Sequence, residues 1–231
     1  QPLPEAGCLV SAYGPLENIA ATASELLCSK IEPAFITAAL TKGENEDGES
    51  RESRLPWRLH VGFEGFADQL HSQQERCLQI LAGNNLDQPY TESYKPGHFT
   101  LAGQNKLFDC SEFLLFACLP LDKMADFISR VESLAQVKQI IADFGCGRFA
   151  ASLTNLSDSA WTKLCGLAGQ SGGRVRLDKA PYEFKERNDV FGPKRSEWKI
   201  IHAVKQALDP HGIFAPGRLP GRDLTMRQNN Q

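Results

Sequence analysis

The run FLLFACLPLDKMADFISRVESLAQVKQIIADFGCGRFAASL, Phe113 to Leu153, decides the fold. It opens on a continuous apolar stretch, Phe113 to Leu119, short enough for a strand, and Pro120 marks the turn that follows. An amphipathic helical pattern comes next, and VKQIIADFGCGRFAASL then reads as two adjacent strands broken near Gly145 to Gly147. Downstream, SDSAWTKLCGLAGQSGG predicts a helix capped by Ser157 or Asp158 and stopped by glycines, and RVRLDKAP a last short strand. The order β-α-β-β-α-β points to an α+β domain, a ferredoxin-like antiparallel sheet with helices packed on one face.

The upstream half repeats part of this theme. GCLVSAY, residues 7–13, predicts a strand, and PLENIAATASELLCSK a helix with Ile19, Ala23, Leu26 and Leu27 on its apolar side. IEPAFITAAL reads as extended or mixed. LPWRLHVGFEGF alternates Trp57, Leu59, Val61 and Phe63 against Arg58, His60 and Gly62, a half-buried strand. ADQLHSQQERCLQILAG predicts a helix with Leu70, Cys77, Leu78 and Leu81 inward and Gly83 as its stop. NNLDQPYTESYKPGHFTLAGQN reads as a turn-rich connection. Residues 41–54 are almost free of apolar side chains and predict a flexible acidic loop; residues 223–231 predict a disordered tail after a domain spanning 1–222.

A composition of 42% hydrophobic and 23% charged residues is that of a globular domain with a sizeable core. The net charge of −3 argues against nucleic acid as a partner, because phosphate binding wants a basic face. No run reaches the roughly 18 apolar residues of a membrane span, and the cysteines, odd in number and without a CxxC pair, suit a reducing cytoplasm as small buried hydrophobes.

Chemical motifs are few. The glycines of GQSGGR follow a helix and precede a strand, the opposite polarity to a phosphate-binding loop, and read as a helix stop. His71 and Glu75 share a helix face but form a surface pair rather than a metal site, and no metal ligand set or catalytic residue is assigned. Two places remain. IADFGCGR puts Asp143 and Arg148 beside a glycine-flanked bend, open to two readings: a ligand contact, or a tight turn with a surface arginine. DPHGIFAPGR, Asp209 to Arg218, presents a cation on a stiff Pro216-Gly217 bend; its other reading is a tail clamp that buries Ile213 and Phe214.

NDVFGPKRSEWKIIHAVKQALDPHGIFAPGR resembles the C-terminal signature of FAD-linked oxidases of the p-cresol methylhydroxylase and vanillyl-alcohol oxidase group, and IADFGCGRF is similar to an element of the smaller FAD-type subunit of bacterial glycolate oxidase. The resemblance covers residues 140 to 222 most closely. It implies a substrate or cap domain whose FAD is held mainly by an N-terminal domain absent from this chain. It also implies glycolate oxidase subunits as partners and a small 2-hydroxy acid as substrate, with hydride passing to FAD.

On the same resemblance Pro216, Gly217 and Arg218 lie toward the flavin or at the domain seam. Arg148 or Arg218 pairs with a carboxylate or with the reduced ring. Hydroxy-acid-oxidising relatives carry a histidine-rich metal element where this chain has DFGCGRF, without histidine. That departure keeps a second function open: a non-catalytic module docking onto a catalytic flavoprotein subunit.

Overall fold

The computed structural model describes residues 4–41, 57–96, 111–214 and 219–221. The first half runs β1 (Ala6–Gly14), α1 (Leu16–Cys28), β2 (Phe35–Thr41), β3 (Trp57–Gly65), α2 (Ala67–Gly83) and β4 (Asp87–Tyr94). The second runs β5 (Phe113–Cys118), α3 (Leu121–Leu134), β6 (Gln136–Asp143), β7 (Arg148–Asn155), α4 (Asp158–Gln170) and β8 (Arg174–Lys179), followed by α5 (Tyr182–Arg187) and α6 (Trp198–Leu208).

The expected β-α-β-β-α-β unit is therefore present twice. One eight-stranded antiparallel sheet, in the order β4-β1-β3-β2-β6-β7-β5-β8, joins the two copies through β2 and β6, centred on Ala39 opposite Ile141. Each copy has the internal order 4-1-3-2 of a ferredoxin-like unit, so the halves meet edge to edge about a local two-fold relationship. Among the described strands the pairing leaves β4 and β8 as edges, which limits the exposed backbone on which other strands could add.

Local chemistry sets the elements. Pro15 and Pro120 stand at the N-caps of α1 and α3, their fixed φ of −60° and −55° turning the chain from strand to helix. Ser157 caps α4, its hydroxyl accepting the Ala160 N–H at 3.2 Å. Ile19, Ala23 and Leu26 of α1, Leu70, Cys77 and Leu81 of α2, Met124, Phe127 and Val131 of α3, and Trp161 and Leu164 of α4 all join one continuous core with the strands. Phe127 of α3 meets Phe149 of β7 edge to face, 6.1 Å between centroids. The apolar side chains of the opposite sheet face form a separate small cluster, Leu114 and Ile141 with Phe116 and Ala150, in which no helix residue takes part.

Several expectations need correction. The segment read as a turn-rich connection contains β4. It is an edge strand whose residues are mostly exposed, so it carries no alternating apolar signal, and Pro89 is tolerated there because an edge N–H needs no ladder partner. The mixed segment contains β2, a central strand. Strand β3, expected half-buried, is buried on both faces, His60 and Gly62 included. Leu27 is 41% exposed rather than inward. Of the cysteines, Cys8, Cys77 and Cys165 are buried, but Cys28, Cys118 and Cys146 are exposed: an apolar neighbour in sequence does not decide which way a side chain points. The flexible-loop residues 42–54 and the tail residues 223–231 lie outside the described residues. No described helix is long and apolar enough to cross a membrane.

Candidate functional site

Directly opposed residues of antiparallel strands lie on the same sheet face, so the register alone assembles a site. On the face opposite the described helices, one row crosses the entire sheet. Tyr90 of β4 opposes Ser11 of β1, Ser11 opposes His60 of β3, and His60 opposes Thr37 of β2. Thr37 opposes Asp143 of β6, Asp143 opposes Arg148 of β7, Arg148 opposes Cys118 of β5, and Cys118 opposes Arg174 of β8. All eight positions are polar or thiol side chains. The adjoining row runs Tyr13, Arg58, Ala39, Ile141, Ala150, Phe116, Arg176 and is apolar between its two arginines.

The middle of the polar row is buried. Ser11 and His60 bond through Oγ and Nδ1 at 2.8 Å, and both side chains are shielded from water. Burial, and secondarily the nearby Arg58 charge, pushes the His60 pKa down to about 4, so the imidazole is neutral at physiological pH. Arg58 has its guanidinium carbon 5.6 Å from the Tyr13 ring centre and 5.2 Å from that of Tyr90, a cation held by two aromatic faces. Three buried polar atoms find no hydrogen-bond partner: Thr37 Oγ1, Arg58 Nε and Tyr90 OH. Each such atom costs about 1–3 kcal/mol, and all three belong to this face and to these two rows.

Beyond the polar row the same face turns aromatic. A Cβ on Gly62 would stand 2.1 Å from the Phe35 ring, and the Tyr94 ring lies against Gly7 in the same manner. Phe35 and Tyr94 are tilted neighbours at 6.3 Å. The glycines let the two rings approach the strands closely, with their planes inclined at 48° to each other.

IADFGCGR forms a tight hairpin turn whose base lies on the polar row. Asp143 and Arg148 pair at the base of the β6–β7 hairpin, and Arg148 is exposed. The Asp143 carboxylate accepts the Gly145 N–H at 2.9 Å and the Cys146 thiol at 3.0 Å; burial and this carboxylate together push the thiol up to about 11. Gly147 has a φ of +68°, and its carbonyl accepts the Leu119 N–H at 2.9 Å. GQSGGR is a helix stop, Gly173 donating to the Ala168 carbonyl at 2.8 Å. His71 and Glu75 form an exposed pair at 3.3 Å.

In the C-terminal segment the buried-clamp expectation fails in one respect. Ile213 and Phe214 are 69% and 70% exposed. The stiffness comes from Asp209, whose carboxylate accepts the N–H groups of both Ile213 and Phe214 at 2.9 Å and pairs with Lys205 Nζ. The Lys205 contact, with those two N–H bonds, holds the Asp209 carboxyl below the usual carboxylate range. We expect Asp209→Ala to raise amide exchange at Ile213 and Phe214 by roughly tenfold, read by hydrogen exchange. Unchanged exchange would mean that something else holds the turn. Pro216, Gly217 and Arg218 lie outside the described residues.

Sequence reasoning thus singled out Asp143 and Arg148 but missed Thr37, Arg58, His60 and Tyr90. The available signal was the Arg58/His60 alternation on the polar side of β3; what it lacked was the partner strands, which come from residues up to some fifty positions away.

Residues 185–219 match the sequence model of the family described as FAD linked oxidases, C-terminal domain. No curated protein matches the chain by sequence. Among solved structures, p-cresol methylhydroxylase with substrate bound is similar at a TM-score of 0.59 and 14% identity, over 94% of this chain and 53% of that one. An alkyldihydroxyacetonephosphate synthase is similar at a TM-score of 0.50 and 12% identity, over 90% of this chain and 44% of that one. The chain spans about half the length of these structures. The structural likeness establishes the fold, and the matched segment supports a C-terminal domain of the FAD-linked oxidase kind.

Proposed function

We propose that this chain is the substrate-side domain of a glycolate oxidase FAD-binding subunit, acting within a flavin-dependent complex that oxidises 2-hydroxy acids. The observation that carries the reading is the match of residues 185–219, the segment of α6 and the Asp209 turn, to the FAD-linked oxidase C-terminal domain. Support comes from the sheet face opposite the described helices, where neutral and cationic polar groups sit beside the Phe35 and Tyr94 rings.

The described residues suit the ring and substrate side of FAD better than its nucleotide. GQSGGR closes α4 instead of cradling phosphates, whereas Phe35 and Tyr94 offer aromatic surface. FAD, when bound, supplies the two-electron acceptor. This chain would contribute orientation and electrostatics. Arg58 offers a fixed cation, Ser11 holds the neutral His60 ring in place, and the buried row keeps water from the polar groups. Arg148 and the Pro216-Gly217-Arg218 bend are the residues we assign to the flavin side or the domain seam.

The test is a visible spectrum of the protein produced with its natural upstream sequence. Flavin bands near roughly 370 and 450 nm are expected, and a colourless protein would sink the oxidase reading.

One observation favours a second reading, a non-catalytic module docked on a catalytic flavoprotein. Ile200, Val204 and Leu208 of α6 are exposed together with Ile213 and Phe214. Exposed apolar side chains on one helix and the turn that follows it favour an interaction site. Co-purification from the native host with a larger flavoprotein, the protein itself remaining colourless, would select this reading over the first.

A further inference from the structure

We propose that α6 and the described residues after it form an arm that moves as one unit against the body of the domain, latched down by the bond between the Asp189 carboxylate and the Gly221 N–H. Packing separates arm from body. Helices α1 to α5 each place side chains in the continuous core, and α6 places none. Its one buried residue, Trp198, lies outside that core, while Ile200, Val204 and Leu208 are exposed along its length. A helix of this kind draws little stability from the domain it is attached to.

The arm carries its own ties instead. Lys205 pairs with Asp209 and also donates to the Phe214 carbonyl, and the Asp209 carboxylate accepts the Ile213 and Phe214 N–H groups at 2.9 Å. His202 Nε2 lies 2.8 Å from the Pro220 carbonyl oxygen, and Gly221 sits so close to the Trp198 ring that a Cβ there would stand 2.7 Å from it. The residues before the arm are fastened to the body. Asn188 donates to the Asp158 carboxylate at 2.9 Å, the Asp189 carbonyl accepts the Trp161 indole N–H at 3.2 Å, and the Val190 carbonyl accepts the Leu177 N–H at 2.8 Å. Gly192, at a φ of +79°, turns the chain beside Cys165, and residues 193–197 cross from body to arm.

Asp189 reaches back over that crossing. One carboxylate oxygen accepts the Phe191 N–H at 2.8 Å and the other accepts the Gly221 N–H at 2.9 Å. Losing the second bond frees the arm to swing on residues 193–197 with its internal bonds intact, carrying the apolar side chains of α6 with it. The latch rests on neither function proposed above.

The full 231-residue chain is followed by limited trypsin digestion at Lys194, which is exposed in the crossing, and by amide exchange. Asp189→Ala removes the latch from the body side. Gly221→Ala removes it from the arm side, because a φ of +73° and the Trp198 ring both oppose a Cβ. Each variant is expected to raise cleavage at Lys194 and exchange at residue 221 about tenfold. The amides of Ile213, Phe214, α3 and α4 are expected to exchange as in the wild-type chain. Gly212→Ala puts similar backbone strain into the arm, at a φ of +65° with open space around an added Cβ, and should change cleavage at Lys194 by less than about twofold.

The proposal is overturned if either latch variant leaves cleavage at Lys194 unchanged, or if Gly212→Ala accelerates it as much. Loss of protection in α3 and α4 would place the arm in the core. Release of Ile213 and Phe214 together with residue 221 would mean that the arm unravels instead of moving as a unit, which overturns it equally.

Discussion

Gly147→Ala is expected to destabilise the protein by about 3 kcal/mol, lowering the midpoint of thermal unfolding by roughly 8 °C for a chain of this size. Two costs add. The residue sits at a φ of +68°, where an L side chain is strained. A Cβ there would also stand 2.4 Å from the Leu119 carbonyl oxygen, which is backbone and cannot rotate away. Relief would require moving the β5–α3 turn, and with it the Leu119 N–H bond to the Gly147 carbonyl.

Gly172 separates the two costs. Its φ of +71° is equivalent, but nothing lies within 4 Å of an added Cβ. Gly172→Ala should therefore cost only about 1 kcal/mol. Equal losses in calorimetry would show that the close approach at Leu119 contributes nothing.

The second large effect is a dependence of stability on pH that originates at His60. Its pKa lies at about 4 in the folded protein, against an ordinary value of 6.5, because burial disfavours the imidazolium and Arg58 adds repulsion. Between those values the unfolded chain takes up a proton that the native protein refuses. Stability is thus complete above pH 6.5 and falls as pH drops toward 4, by roughly 3 kcal/mol across the window. Urea unfolding at pH 7.5 and 4.5 measures this. His60→Gln keeps a polar partner for Ser11 but cannot titrate, so its loss between the two pH values should be smaller than that of the wild-type chain by most of that amount. A variant that loses as much as the wild type would place the acid sensitivity among the carboxylates instead.

His60 also shows why the site was hard to read. Its alternation with Leu59 and Val61 placed it correctly on the face opposite the helices, but alternation says nothing about what lies over that face. Ser11 and Tyr90, which complete its row, arrive from β1 and β4, and β4 has too little apolar content to announce itself as a strand. Phe214 errs in the opposite direction. An aromatic between prolines reads as a buried clamp, yet the turn is held by the Asp209 carboxylate, and the ring remains exposed.

What the amino-acid sequence determined by itself was the order of elements in the second half, the capping of their helices and, Leu27 apart, the inward faces of α1 and α2. Proline caps, glycine stops and hydrophobic periods act over a few residues and need no distant partner. Only the tertiary structure decided that the first half repeats the same unit, that the two copies join through β2 and β6, and that Thr37, Arg58, His60 and Tyr90 share one buried face. The physical reason is that strand pairing and burial depend on residues far apart in the chain, so the polar row exists only once the register is set.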